Sequence, residues 1–179
     1  MRIVICIAIF SITMLSCKQK TIVDQSLRDC YGKKVSLEMF KSVIQNYSHI
    51  NIADLRKNYK FISLVYLQND CAPCYDKFIE WHIKMDSIGY RDNYTTLFIV
   101  RGKSYEDFIA NVFNIKFIDS KFYVVMDPNF KFLDQNQEIP FWIIDNSILI
   151  DENNRVQMVG FPFYSNKMTK KFNQICSDE

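Results

Sequence analysis

Residues 61–88 read FISLVYLQNDCAPCYDKFIEWHIKMDSI. Phe61 to Leu67 is a continuous apolar and β-branched run with the length of a buried strand. Beyond Cys71-Ala72-Pro73-Cys74 the apolar period changes. Phe78, Trp81 and Met85 recur every three to four residues, while Asp76, Lys77, Glu80, Lys84 and Asp86 take the other positions, which is the pattern of an amphipathic helix. The two cysteines are therefore predicted to sit where a strand turns into a helix.

That position has chemical consequences. The first turn of a helix presents unpaired N–H groups and a partial positive charge, which favour a thiolate over a thiol. Cys71, at the mouth of the turn, is expected to attack, and Cys74, one turn in, to resolve. Pro73 fits a first turn, where its missing N–H costs nothing. Cysteines at this spacing can close a disulfide and reopen it by exchange through a mixed disulfide.

Toward the N-terminus, Arg2 is followed by an apolar run from Ile3 to Leu15 and then Ser16-Cys17. Residues 1–16 read as a secretion signal, too short for a comfortable membrane span. Met14-Leu15-Ser16-Cys17 resembles a bacterial lipoprotein cleavage site, which makes Cys17 the lipidated first residue of the mature chain. Residues 17–26 are polar and read as a tether, leaving 27–179 as one domain. Gly32 suits a turn beside a short strand ending near Leu37, and residues 38–50 carry a weak helical pattern through Phe40, Val43 and Ile44.

Toward the C-terminus, Tyr94 to Val100 is a second strand, broken by Arg101-Gly102-Lys103. Ser104 caps a helix from Tyr105 to about Phe113, with Glu106 and Asp107 in its first turn. Phe122 to Met126 is a third strand, closed by the Asp127-Pro128-Asn129 turn, and a short helix through Phe130, Phe132 and Leu133 follows. Pro140 opens a strand over Phe141 to Asp145, a position that sheets tolerate. Asp151 to Asn154 turns between Ser147–Ile150 and Val156–Val159 as an antiparallel hairpin. The last segment, Ser165 to about Ile175, is a basic amphipathic helix.

Composition narrows the function. The formal net charge is +2, and Arg2 is the one charged residue of 1–16, so the mature balance of +1 gives no electrostatic case for nucleic acid. His49 and His82 are the only histidines, and there is no second cysteine pair. A Cys71, Cys74 and His82 zinc site is not expected, nor is a cysteine–histidine hydrolase, and no cofactor is called for. The Pro-x-x-x-Thr-x-x-Cys pattern of thiol peroxidases does not occur.

Laid end to end, these elements follow the thioredoxin order. The chain resembles thioredoxin-like disulfide oxidoreductases of the TlpA/ResA type, and in particular short bacterial thioredoxin-like lipoproteins, over roughly residues 55–176. The pieces that match are the strand–CAPC–helix unit, the Asp127-Pro128 turn, Ile139-Pro140 leading into an apolar run, and Asp151 to Asn154 leading into Val156 and Gly160. The resemblance implies an α/β three-layer sandwich, a mixed central sheet flanked by helices, with an N-terminal extension. It implies that Pro140 is cis and faces the disulfide, and that the backbone of Ile139 pairs with an extended substrate. It also implies a lipid-anchored protein facing the periplasm that exchanges disulfides with protein substrates, in the reducing direction, supplied by a membrane electron donor.

The departures from that pattern are specific. Asn69-Asp70 stands where relatives carry a tryptophan, and Asp70 places a like charge beside a Cys71 thiolate. The strand before the motif lacks a buried carboxylate, and the acid that ResA-like proteins carry three residues after the second cysteine is here Lys77. Proton handling for Cys74 is left unassigned; Asp76, Glu80 and Glu138 are the nearest candidates in sequence, and each also reads as a solvated surface carboxylate. These departures keep a rival reading alive, a thioredoxin-fold binding or scaffold lipoprotein whose CAPC disulfide is structural. Cys30 and Cys176 read equally as a structural disulfide tying the N-terminal segment to the last helix or as two buried thiols.

Overall fold

The computed structural model describes residues 23–88, 92–119 and 121–177. The expected signal peptide, Cys17 and the first part of the tether lie outside the described residues. The chain opens with a helical segment over residues 23–30 (α1), so the last tether residues are helical and not extended linker. The weak helical pattern over 38–50 is instead a hairpin, β1 (Ser42–Gln45) and β2 (Ser48–Asn51). Its two turn residues both have positive φ, Asn46 at 48° and Tyr47 at 63°, the backbone of a hairpin turn that follows strand twist. Asn51 then caps α2 (Ile52–Asn58), its side chain accepting from the Ala53 N–H.

The central unit forms as read, β3 (Phe61–Gln68) followed by α3 (Ala72–Ile88). Next come β4 (Tyr94–Arg101), α4 (Tyr105–Ile115), β5 (Tyr123–Met126) and α5 (Lys131–Gln135). The Ser104 hydroxyl accepts from the Asp107 N–H at 3.1 Å, the expected cap of α4. Phe141 to Asp145, expected as a strand, is a short helix, α6. The Pro140 carbonyl accepts from the N–H groups of Ile143 and Ile144 at 2.9 and 3.3 Å. The run is too short for its period to be legible, and burial follows helical spacing: Ile139, Ile143 and Ile144 are buried while Phe141 and Trp142 face out. The hairpin β6 (Ile148–Ile150) and β7 (Val156–Val159) and the last helix α7 (Asn166–Ser177) complete the chain.

The seven strands form one mixed sheet in the order β2-β1-β5-β4-β3-β6-β7. β3, β4 and β5 are parallel, and β6 runs antiparallel to β3. Alternate residues of β3 divide between two cores. Phe61, Val65 and Leu67 pack under α3, α4 and α7, whereas Ile62, Leu64 and Tyr66 pack under α1, α2, α5 and α6. A strand covered on both faces is apolar at nearly every position, which is why 61–67 carries no alternation; its one polar residue, Ser63, accepts from the Tyr94 hydroxyl at 2.9 Å. The result is the three-layer α/β sandwich that the resemblance implies.

At the outer edge of the sheet the N-terminal segment covers β7. Gly32 N–H donates to the Val156 carbonyl and Val35 N–H to the Asn154 carbonyl, each at 2.8 Å. The strand expected to end near Leu37 is reduced to a single bridge, Lys34 to Arg155.

Candidate functional site

Because β3, β4 and β5 run in one direction, their C-terminal ends open on one rim, where parallel α/β sheets commonly hold their sites. The Asn69 N–H donates to the Arg101 carbonyl at 2.9 Å and the Asp127 N–H to the Val100 carbonyl at 2.8 Å, so the three exits from the sheet are tied side by side. Cys71 occupies the position before α3, its carbonyl accepting from the N–H groups of Cys74 and Tyr75. Cys71 and Cys74 are joined by a disulfide, with their Cα atoms 5.2 Å apart. Both are half-buried. Cys74 is the more enclosed chemically, since it packs against the core below α3 and its Sγ accepts from the Gln68 N–H at 3.4 Å. The first turn of α3 contains no acidic residue, so nothing inside the helix offsets its positive end.

The two residues leading into Cys71 are held by a residue that follows the motif. The Tyr75 hydroxyl donates to Asn69 Oδ1 and accepts from the Asp70 N–H, both at 2.9 Å, and from Asn111 Nδ2 of α4 at 3.1 Å. Asp70 has φ 66°, a conformation few non-glycine residues adopt unless their surroundings hold them there. Gly102 makes room for the loop: a Cβ there would stand 2.9 Å from Asn69 Cβ and 3.1 Å from Met126 Cε. Beside the loop a cleft of ≈ 820 Å³ is lined in part by Asn69, Asp70, Lys103 and Asn111, with the Arg101 guanidinium 3.9 Å from the centre of the Phe130 ring.

On the other side of the motif helix, Lys77 donates from Nζ to the Asp145 carbonyl at the end of α6, and the Phe141 ring meets the edge of Tyr66 at 6.1 Å. Ile139 and Pro140 thus enter the helix that borders the motif. The Ile139–Pro140 peptide is trans, as is every peptide bond among the described residues, so the cis geometry implied by resemblance is not present. The Ile139 N–H donates to the Asn136 carbonyl at 3.0 Å and is engaged within the chain.

The three carboxylates named for proton handling all lie at the surface. Asp76 and Glu80 are exposed along α3. Glu138 is exposed and lines a separate cavity of ≈ 480 Å³ together with Lys34, Glu38 and Arg56. His82 is buried, Nδ1 lying 2.8 Å from the Phe78 carbonyl and the ring stacked on Phe98; it belongs to the core. Asp127 is also buried, and its two carboxylate oxygens accept from the N–H groups of Lys131 and Phe132 at the start of α5. Cys30 and Cys176 form no disulfide with each other: Cys30 lies in the α1/α2 core and Cys176 in the α3/α7 core, on opposite faces of the sheet. Burial pushes the Cys30 thiol above its ordinary range, against the pull of Lys33.

Sequence reasoning missed Tyr75 and Asn111. A usable signal for Tyr75 was its place in the inward series with Phe78 and Met85, where a phenol hydroxyl needs a partner. Nothing local marked Asn111.

No family model matches the chain, and no curated protein matches it. Solved structures do. The thioredoxin domain of a thiol-disulfide oxidoreductase from Bacteroides vulgatus is 12% identical with a TM-score of 0.58, covering 82% of this chain and 98% of that one. A secreted thiol-disulfide isomerase from Corynebacterium glutamicum is 20% identical with a TM-score of 0.55, over 78% and 82%. A DsbF homologue from Corynebacterium diphtheriae is 20% identical with a TM-score of 0.52, over 74% and 84%. What the chain shares with these proteins is the thioredoxin-like fold.

Proposed function

We propose that this thioredoxin-fold chain is an extracytoplasmic thiol-disulfide oxidoreductase that exchanges disulfides with protein substrates through Cys71 and Cys74. The observation that carries the reading is the Cys71–Cys74 disulfide seated at the amino end of α3 on the rim where β3, β4 and β5 end. In the reduced enzyme the Cys71 thiolate attacks one sulfur of a substrate disulfide. The substrate S–S bond breaks, its leaving thiolate takes a proton, and Cys71 is held in a mixed disulfide. Cys74 loses its proton and attacks the Cys71 sulfur. The second substrate thiolate departs and is protonated, so the substrate has gained two electrons and the enzyme returns to its disulfide.

The reducing direction follows from charge. Asp70 beside Cys71 disfavours the thiolate of the reduced form, and whatever destabilises the dithiol makes it the stronger reductant. A membrane electron donor would then restore the dithiol, and lipidation at Cys17 would hold the enzyme to the membrane facing the periplasm. Ile139 and Pro140 border the substrate groove, with the half-exposed rings of Phe141 and Trp142 beside them. The Ile139 N–H is engaged with Asn136, so side-chain contact with Phe141 and Trp142 carries the binding that relatives obtain from the backbone.

The test is trapping. A Cys74→Ser variant should accumulate a mixed disulfide with a reduced-and-reoxidised protein substrate such as insulin, and Cys71→Ser should abolish insulin reduction. Insulin reduction by the native protein no faster than by Cys71→Ser would instead make the disulfide structural and the protein a binding module.

A further inference from the structure

The Tyr75 hydroxyl is fully employed. A phenol offers one donor and two acceptor positions, and here the donor goes to Asn69 while the acceptors take Asp70 and Asn111. The ring is 8% exposed and packs on Phe108 at 5.6 Å, so the hydroxyl is delivered from a fixed base. Two of the three bonds end on the residues immediately before Cys71, and the third ties the hydroxyl itself to α4. The residue held most directly, Asp70, has φ 66°, a left-handed backbone that costs free energy for any residue but glycine, though less for aspartate than for most.

We propose that Tyr75 is a positioning residue for the redox pair, its hydroxyl holding Asn69 and Asp70 in the backbone arrangement that keeps the Cys71 sulfur at the amino end of α3. The proposal rests on the reading of Cys71 as the attacking thiol. It acts through geometry: the helix terminus stabilises a thiolate only within about its first turn, and Cys71 is attached directly to the residue whose φ the hydroxyl fixes. When the clamp opens, Asp70 relaxes toward negative φ, the sulfur leaves its station, and the thiolate loses the field that favours it. The Asn69 and Asp70 groups released lie at the cleft, where water can take the place of the phenol, so the fold is retained while the reactivity changes.

The experiment is the pH dependence of Cys71 alkylation by iodoacetamide in the reduced full chain, read by peptide mass for the native protein, Tyr75→Phe, Asp70→Gly and Asp70→Gly/Tyr75→Phe. Tyr75→Phe should move the midpoint up by about one unit and slow alkylation about tenfold at a pH below both midpoints. Glycine adopts positive φ without support, so in the Asp70→Gly background the same substitution should have no effect. An unmoved profile in Tyr75→Phe overturns the proposal, as does an equal shift in both backgrounds. If Tyr75→Phe does not fold, Asn111→Ala carries the test: a shift in the same direction supports the clamp and an unchanged profile overturns it. A native Cys71 no more reactive than an ordinary thiol defeats the oxidoreductase reading itself. A reactive native Cys71 that is indifferent to Tyr75 defeats only the clamp.

Discussion

Lys77 of α3 donates from Nζ to the backbone carbonyl of Asp145, the last residue of α6, so the helix that begins at the cysteines is tied to the helix that follows Pro140. Lys77 lies three residues beyond Cys74 and shares its side of α3. Helical side chains lean toward the amino end, and the Asp145 carbonyl fixes where this ammonium comes to rest. Burial pulls the Lys77 pKa below its ordinary value, and the Asp145 carboxylate pulls it back up. A cation so placed favours the dithiol, whose thiolate it stabilises. Lys77→Gln should therefore make the pair more reducing, shifting its equilibrium with glutathione about tenfold toward the disulfide, roughly 30 mV. An unchanged potential would mean that solvent screens the ammonium from the sulfurs.

Tyr66 is 3% exposed, and its hydroxyl has no hydrogen-bond partner among the described residues. Burial first, and then the charge of Asp127, push its pKa up to about 12, with Arg101 opposing. A buried hydroxyl without a partner costs about 1 kcal/mol or more, so Tyr66→Phe should raise stability in urea by about that much. The pH dependence has a definite sign. The folded chain holds the phenol proton more tightly than the unfolded chain, whose pKa is about 10. That contribution is complete below pH 10 and is lost as pH climbs through about 12, and the variant should lose this part of the alkaline decline.

Gly102→Ala places a Cβ 2.9 Å from Asn69 Cβ, which, unlike Met126 Cε at 3.1 Å, is not the far end of a flexible side chain. Overpacking of this kind costs about 1–3 kcal/mol. Since the displaced residue is the one held by Tyr75, insulin reduction should fall together with the urea midpoint. Full activity at reduced stability would separate the loop from the chemistry.

Native oxidised protein should yield Cys71–Cys74 as the disulfide among residues 23–177 on non-reducing peptide mapping. Alkylation of the reduced protein at neutral pH should label Cys71 and spare Cys30, whose thiol is buried and pushed upward in pKa. A Cys30–Cys176 crosslink in correctly folded material would contradict the separation of the two cores.

The strand, the motif and the helix after it were legible because each carries its own period and lies in one piece of chain. So were the Ser104 cap and the Asp151 turn, where Oδ1 accepts from the N–H groups of Asn153 and Arg155. The β1–β2 hairpin was hidden because its turn is Asn46-Tyr47 and lacks the glycine that announces such turns. Phe141 to Asp145 was misread because five mostly apolar residues fit a strand and a helix turn equally well. The cysteine pair could be found from spacing alone. Its supports could not, because Asn111 meets Tyr75 across 36 positions of sequence, and only the packing of α4 on α3 brings them together.

The two rims of the sheet are finished differently. The β7 rim is sealed by the chain's own residues 32–35, while β2, the other outer strand among the described residues, is only four residues long and is ended by the Asn51 cap that turns the backbone into α2. A rim so short offers a second molecule too few amide pairs to grow a shared sheet. For the exchange proposed above, this leaves the rim that carries Cys71 and Cys74, and not the sheet edge, as the place for an extended client to meet the chain.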